Sequence, residues 1–261
     1  MGKTKSEATL LKVTKKDPAF SMQVHKINNP DIVIIDDIEK MIKNPHIVVN
    51  GEKIKKIINK TTMHKVSLIP INHRHRLELE EIKKYIYDGF TKFGYKGFSI
   101  DIDNSYDPLS IYFCIRDKNS KIVAATRITI KLNGKKIACE YGIRNNGKCY
   151  TFKTSERIAE MNSFVFSSYR ALPLLFATLG KFSYQNNITR GYCLMDVESQ
   201  RFQEIYKFSG WKESEQYNDT VLFPTFGKIT EEQFIPTQWR IMEIDKEKIY
   251  KYSLIFNNYG N

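Results

Sequence analysis

No two cysteines of this chain stand in a CxxC spacing. The four, Cys114, Cys139, Cys149 and Cys193, therefore suggest no zinc site, and their scatter fits a reduced cytosol. Cys114 and Cys193 sit inside apolar runs and read as small buried hydrophobes. No stretch approaches the ~20 apolar residues of a membrane-spanning helix. The polar, lysine-rich start does not read as a secretory leader, so the expected location is cytoplasmic. There is no internal repeat and no low-complexity tract. His73 and His75 flank Arg74, but nothing completes a metal site around them, and they read as surface. No metal and no permanently bound cofactor is expected.

What the chain does have is enough apolar material for a core. It has 261 residues, 41% of them hydrophobic, which allows one large domain or one domain plus an extension. An aromatic content of 13% argues against disorder throughout. The formal charge of +12 favours acidic partners: nucleic acid, an anionic membrane surface or an acidic carrier protein. A plain lysine-rich solvated surface explains it equally well. The lysines are spread along the chain and most aromatics fall in apolar runs. That pattern disfavours nucleic acid, which would need a basic stripe interleaved with exposed rings. The opening "MGKTKS" fits the N-myristoylation pattern, with meaning only in a eukaryotic cytosol.

Residues 1–20 read as a flexible arm. Residues 21–64 mix short apolar runs such as "PHIVVN" with a helical stretch, "GEKIKKIINKT". From about residue 65 the pattern becomes orderly. "KVSLIPIN" is rich in strand formers. "ELEEIKKYIYDGFTKFGY" places Leu79, Ile82, Ile86 and Phe90 at helical intervals, with Gly94 to end the helix. "LSIYFCIRD" and "KIVAATRITIKLN" predict a hairpin across "DKNSK", and "KIACEYGI" a further short strand. "ERIAEMNSFVFSS" predicts the next strand. "RALPLLFATLGKFSYQNN" predicts a helix with Pro173 in its first turn. "TRGYCLMDV" predicts a buried strand, and "SQRFQEIYKFSGW" a helix closed by Gly210. "WKESEQY" and "TVLFPTF" predict a final hairpin. In the tail, "QWRIMEID" and "KIYKYSLIF" suit a helix or a strand. Helices between strands and hairpins at the ends predict a mixed α/β sheet with helices on both faces.

Tyr206, Gly210 and Trp211 form the Tyr-x-x-x-Gly-Phe/Trp pattern that many GNAT acyltransferases carry before their last strands. Upstream, "YDPLSIYFCIRDKNSKIVAATRI" resembles a segment of the N-acyl amino acid synthases and acyl-homoserine-lactone synthases. There an Asp precedes one strand of a hairpin and an Arg lies on the other; the matching residues are Asp107 and Arg127. In those families the next long strand opens with Glu-Leu-Ser-Arg-Phe. "EMNSF" matches at Glu160 and Phe164, and loosely at Met161 and Asn162. It departs at Ser163, where the lactone synthases carry Arg, and so leans away from a homoserine-lactone product. The resemblance covers about residues 65–226.

That resemblance implies a GNAT-like α/β domain over 65–261 with a central mixed, splayed sheet, and leaves 1–64 as an extension without a role. It implies transfer of an acyl group, expected to be fatty, from an acyl-carrier-protein or CoA thioester to a primary amine. It implies Glu160 as base or amine holder and Tyr206 as the acid for the leaving thiolate. Asp107, Arg127 and Ser163 would bind the acceptor; Arg127 would either grip a carboxylate or orient Glu160. Phe164, Phe166, Ser168 and Arg170 would meet the acyl donor. The loop "SSYRALP" lacks the glycines with which CoA-dependent members cradle a diphosphate. With Arg170, Lys181 and Arg201 near the expected mouth, that lack favours the acidic carrier protein. Acetyl-CoA-dependent N-acetylation is the nearest rival, and a basic partner-binding module without catalysis is the alternative of another class. Each residue also has a bland reading: Glu160 a solvated strand end, Arg127 an edge residue, Tyr206 a core ring, Asp107 turn chemistry before Pro108.

Overall fold

The computed structural model describes residues 46–49, 64–70, 76–97, 109–153 and 156–260. The arm over 1–20, the "GEKIKKIINKT" helix, His73, His75, the "MGKTKS" start and Asp107 lie outside those residues.

The strands are β1 (His46–Val49), β2 (His64–Pro70), β3 (Tyr95–Lys96), β4 (Ser110–Arg116), β5 (Ile122–Ile130), β6 (Ile143–Arg144), β7 (Ile158–Phe166), β8 (Arg190–Asp196), β9 (Lys212–Glu213), β10 (Val221–Thr230) and β11 (Gln233–Asp245). The helices are α1 (Arg76–Lys92), α2 (Leu172–Gln185), α3 (Gln200–Phe208) and α4 (Lys246–Gly260). The strands form one sheet in the order β1-β2-β4-β5-β7-β8-β11-β10-β3, with β6 beside β10 and β9 beside β11. Every neighbouring pair is antiparallel except β7 and β8, which run parallel. This is the mixed α/β sheet flanked by helices that the sequence implied. The "PHIVVN" run of the N-terminal stretch supplies β1, which pairs with β2 at the sheet's edge. Among the described residues no helix is long and apolar enough to cross a membrane.

The two faces bury different sets of side chains. α1 presents Leu79, Ile82 and Ile86 to one face, on β4, β5 and Val165. The spacing gives one apolar stripe on an otherwise charged helix. Glu78 in its first turn and Lys92 in its last suit the helix dipole, and Gly94, at φ 85°, closes it. α2 carries ten buried residues from Leu172 to Ser183. It is apolar nearly all round because the sheet lies on one side and α4 on the other.

Two elements differ from the sequence reading. "KIACEYGI" forms a 3-10 turn, Ala138–Glu140, before the short β6. The turn wins because Glu140 caps it from within, accepting from the Ile137 amide at 3.0 Å and from the Phe152 amide at 2.9 Å. The Lys131 ammonium, 2.6 Å away, neutralises that buried acid. "TVLFPTF" pairs not with "WKESEQY" but with the tail strand β11. The joining residues Glu231 and Glu232 both take positive φ, 50° and 64°, as a two-residue hairpin turn demands. "QWRIMEID" is thus strand and "KIYKYSLIF" helix.

Gly180 of α2 marks a close approach of α4. A Cβ there overlaps Tyr252 Cβ and stands 3.1 Å from Ile249 O. Helix propensity alone makes Gly180→Ala stabilising by about 1 kcal/mol. Overpacking costs about 1–3 kcal/mol and is expected to win, so urea denaturation should show Gly180→Ala less stable than the parent chain.

Candidate active site

β7 and β8 pair through only four residues, from Ile158 opposite Arg190 to Met161 opposite Cys193. Past that point β7 continues to Phe166 against β5, and β8 continues to Asp196 against β11. The two strands therefore part into a wedge. The cause is a bulge in β7. Ser163 takes φ 53° and the β5 register slips between Ala125 and Arg127. Thr126 Oγ1 secures it by donating to Asn162 O at 2.8 Å. One extra residue bends the strand and resets which face its side chains meet. Ala159 and Met161 lie on the α2 face, and Phe164 and Phe166 rejoin that face beyond the bulge.

Glu160, the acid that opens this core strand, is fully buried. Its carboxyl is met by the 3-10 turn. Oε2 accepts from the Ala138 amide at 2.6 Å, and Oε1 from the Cys139 amide at 2.8 Å and the Cys139 thiol at 2.9 Å. Asn162 Nδ2 adds a contact of 3.3 Å to Oε2. Burial pushes the Glu160 carboxyl above the usual carboxylate range; these donors and the nearby Arg127 charge pull the other way but do not cancel it. Burial, then the adjacent acid, pushes the Cys139 thiol well up. A solvated strand end, the bland reading of Glu160, does not describe it.

Arg127 is also buried, at 2% exposure, on an interior strand rather than an edge. Its Nε donates to Asn162 Oδ1 at 2.7 Å, and its guanidinium lies 5.9 Å from the Tyr112 ring centre. Asn162 thus stands between the cation and Glu160 and binds both. Sequence reasoning matched Asn162 only loosely and missed this bridge. The amides of Ala138 and Cys139 escape it too, because "IACE" reads as part of a strand. The only available signal was the acid three residues into that turn.

Tyr206 reaches the wedge from α3. It is buried, its phenol meets the Cys193 sulfur, and burial raises its pKa well above the ordinary value. It holds its proton. Cys193 faces α2 with Met161, whereas Glu160 stands beside Tyr192, which faces the opposite side. The carboxyl and the phenol therefore flank the end of the β7–β8 pairing from the two faces of the sheet.

The remaining expected residues spread along the wedge. Phe164 and Phe166 are buried and stacked at 5.4 Å, and Phe164 lies 6.3 Å from the Tyr206 ring. Ser163 forms the bulge. Ser168 is half-buried and Arg170 exposed, at the 3-10 turn Tyr169–Ala171 that opens α2. Arg201 packs its guanidinium 4.2 Å from the Phe166 ring centre and 5.0 Å from that of Tyr169. Its Nε is buried and unpaired among the described residues. Behind the paired base of the wedge is an apolar cavity of about 40 Å³, lined by Ile128, Ala159, Met161, Leu179, Gly191 and Trp211 among others. Among the described residues no cluster of His, Cys, Asp or Glu is placed to hold a metal.

No protein-family model matches this chain, and no curated protein does. Among solved structures it is similar to FeeM, an N-acyl amino acid synthase from uncultured soil microbes, at 10% identity over 76% of this chain and 98% of that one, with a TM-score of 0.48. It is similar to spermidine N-acetyltransferase from Vibrio cholerae, solved with CoA and spermine, at 12% identity over 70% and 97%, TM-score 0.42. A probable N-acyltransferase from Enterococcus faecalis V583 aligns at 8% identity over 59% of this chain and 33% of that one, TM-score 0.39.

A buried acid with a raised pKa holds its proton more tightly in the folded chain than in the unfolded one. Its contribution to stability is complete below the unfolded pKa and is lost as pH rises through the folded one. In Glu160→Gln an NH2 replaces one acceptor oxygen and faces buried donors, at a cost of about 1–3 kcal/mol. The variant should be less stable than the parent chain in urea at pH 5, and the gap should narrow towards pH 8. A gap that widens with pH would contradict the raised pKa.

Proposed function

We propose that this chain is a GNAT-type N-acyltransferase, moving an acyl group from a CoA or carrier-protein thioester to a primary amine. The observation that carries the reading is the wedge between β7 and β8, with a buried carboxyl on one face of its base and a buried phenol on the other. Strand groups of 162–166 and 194–196 that face the wedge suit the amides of a pantetheine arm, since buried backbone groups require partners. The neutral amine attacks the thioester carbonyl. A C–N bond forms and the C–S bond breaks. The proton shed by nitrogen passes to Glu160, directly or through water, and the leaving thiolate takes a proton from Tyr206. Glu160 has a raised pKa, which brings a carboxylate nearer to the strength of a useful base. Tyr206 keeps its hydroxyl proton.

Arg127 and Asn162 act as positioning residues in this scheme. They fix the Glu160 carboxyl from the β5 side, and the Ala138–Cys139 turn fixes it from the other. Ser163 shapes the wedge through its bulge. Arg170, Ser168 and Arg201 are the groups this reading assigns to the donor's phosphate end. The absence of glycines from "SSYRALP" and the charge of +12 support an acidic carrier protein as the donor's bearer. The cavity supports a second, shorter-chain reading. Its 40 Å³ has room for only a few water-sized groups. An acetyl or similarly short group fits as the chain stands, and a fatty chain fits only if α2 and α4 move apart.

Mass spectrometry of extracts from cells expressing the chain names donor and acceptor together. A new N-acyl species is expected with the parent chain. Tyr206→Phe should lower its formation about 10²-fold, in the range of a lost general acid, with the KM for the amine little changed. Extracts identical to the empty-vector control, with folded protein present, would remove the reading.

A further inference from the structure

Asp196 ends β8 three residues beyond the last β7–β8 pair, ~10 Å along the open arm of the wedge. Strand alternation puts it on the same face as Tyr192, and hence as Glu160. Its carboxylate is fully buried and fully engaged. Oδ1 accepts from the Glu198 amide at 2.9 Å. Oδ2 accepts from the Tyr95 hydroxyl at 2.5 Å and from the Lys228 ammonium at 2.6 Å. The same ammonium lies 4.8 Å from the Tyr95 ring centre. Behind it the rings of Tyr95, Phe226 and Trp239 stack at 5.3–5.8 Å, and Trp239 is the direct cross-strand neighbour of Asp196.

A carboxylate at hydrogen-bond distance, a phenol beside it and an aromatic wall together recognise a primary ammonium cation. Two further polar atoms on the same face of β11, Trp239 Nε1 and Thr237 Oγ1, are buried and have no partner among the described residues. Their residues are 8% and 5% exposed. Unpaired polar groups at such depth are rare and call for a partner. Lys228 is a partly open wall, its side chain 28% exposed against 0% for Asp196. It enters from β10 just past the stretch where the pairing of β10 with β11 is broken, between Leu222 and Gly227.

We propose that Asp196, Tyr95 and Trp239 form a binding site for an alkylammonium group of the acceptor, and that the Lys228 side chain occupies this site when the acceptor is absent. The acceptor class is then a basic amine carrying a second, cationic nitrogen beside the one that is acylated. That role rests on the acyl-transfer reading; the site itself does not. Exchange of one ammonium for another keeps the Asp196 charge paired throughout. An unpaired carboxylate at this depth would be strongly destabilising.

The chain's two tryptophans, Trp211 and Trp239, provide the test. The full chain labelled with 5-fluorotryptophan is titrated with n-butylammonium chloride at constant ionic strength and followed by 19F NMR. n-Butanol is the neutral control. The Trp239 signal is expected to move saturably with the ammonium alone, while that of Trp211 stays in place. Lys228→Met, prepared with the ammonium salt present so that Asp196 stays paired and then dialysed into the titration buffer, removes the competing internal ammonium and should tighten binding about tenfold or more, since a tethered competitor acts at millimolar effective concentration. Asp196→Asn should abolish binding. If Asp196→Asn does not fold, Tyr95→Phe takes its place and should weaken binding. No saturable shift in the parent chain, an equal shift with n-butanol, or unchanged affinity in Lys228→Met overturns the site. Ammonium binding without any acyl product leaves the site standing and removes the acyl-transfer reading. Acyl products without ammonium binding remove this site alone.

Discussion

A carboxyl buried in the middle of a sheet needs donors, and the chain supplies them from 21 and 22 residues upstream of Glu160. That one requirement organises the surrounding structure. It pulls the Ala138–Glu140 turn against β7, which pins the connection between β5 and β7. It gives Asn162 a fixed object to bond, and Asn162 in turn accepts from Arg127, which ties β5 to β7 through side chains where the bulge has loosened the ladder. Hydrogen bonds to a charged or nearly charged group are worth about 1.5–3 kcal/mol each. The desolvation they offset is of similar size, so the gain lies more in a unique geometry than in stability.

The wedge follows from a conflict within β7. Its first half must pair with β8, whereas its second half is bent by the left-handed Ser163. Ordinary sheets avoid such openings because they leave backbone groups without partners. Here the opening is bordered by aromatic side chains from α3 and the strand itself, and these keep its walls in place. Stability comes from the apolar packing on both faces, and the opening is confined to a few residues between them.

Much of this was legible in the sequence. The helical spacing of Leu79, Ile82 and Ile86, the uninterrupted apolar run of β8 and the glycines after α1 and α3 are local signals, and local structure obeys them. Two separate short patterns that pointed to one resemblance singled out Glu160 and Tyr206, and the structure buries both. What escaped was whatever depends on residues distant in the chain. The 3-10 turn is set by Glu140 bonding to Phe152, twelve residues on. The partner of β10 is set by a two-glutamate turn that no propensity favours. The grouping of Tyr95, Asp196, Lys228 and Trp239 spans four strands, and no window of sequence contains it.

The order of strands also governs when this fold can exist. β11, near the C-terminal end of the chain, lies inside the sheet between β8 and β10, and α4 after it covers α2. Until those last elements leave the ribosome, β8 has an exposed edge and α2 an uncovered apolar side. Half of the central sheet must wait for contacts between residues far apart in sequence, which are the slow ones to form. Such a nascent chain presents a bare strand edge to its neighbours throughout its synthesis. Its dependence on chaperones should therefore be decided by residues 233–260 rather than by the apolar middle of the chain.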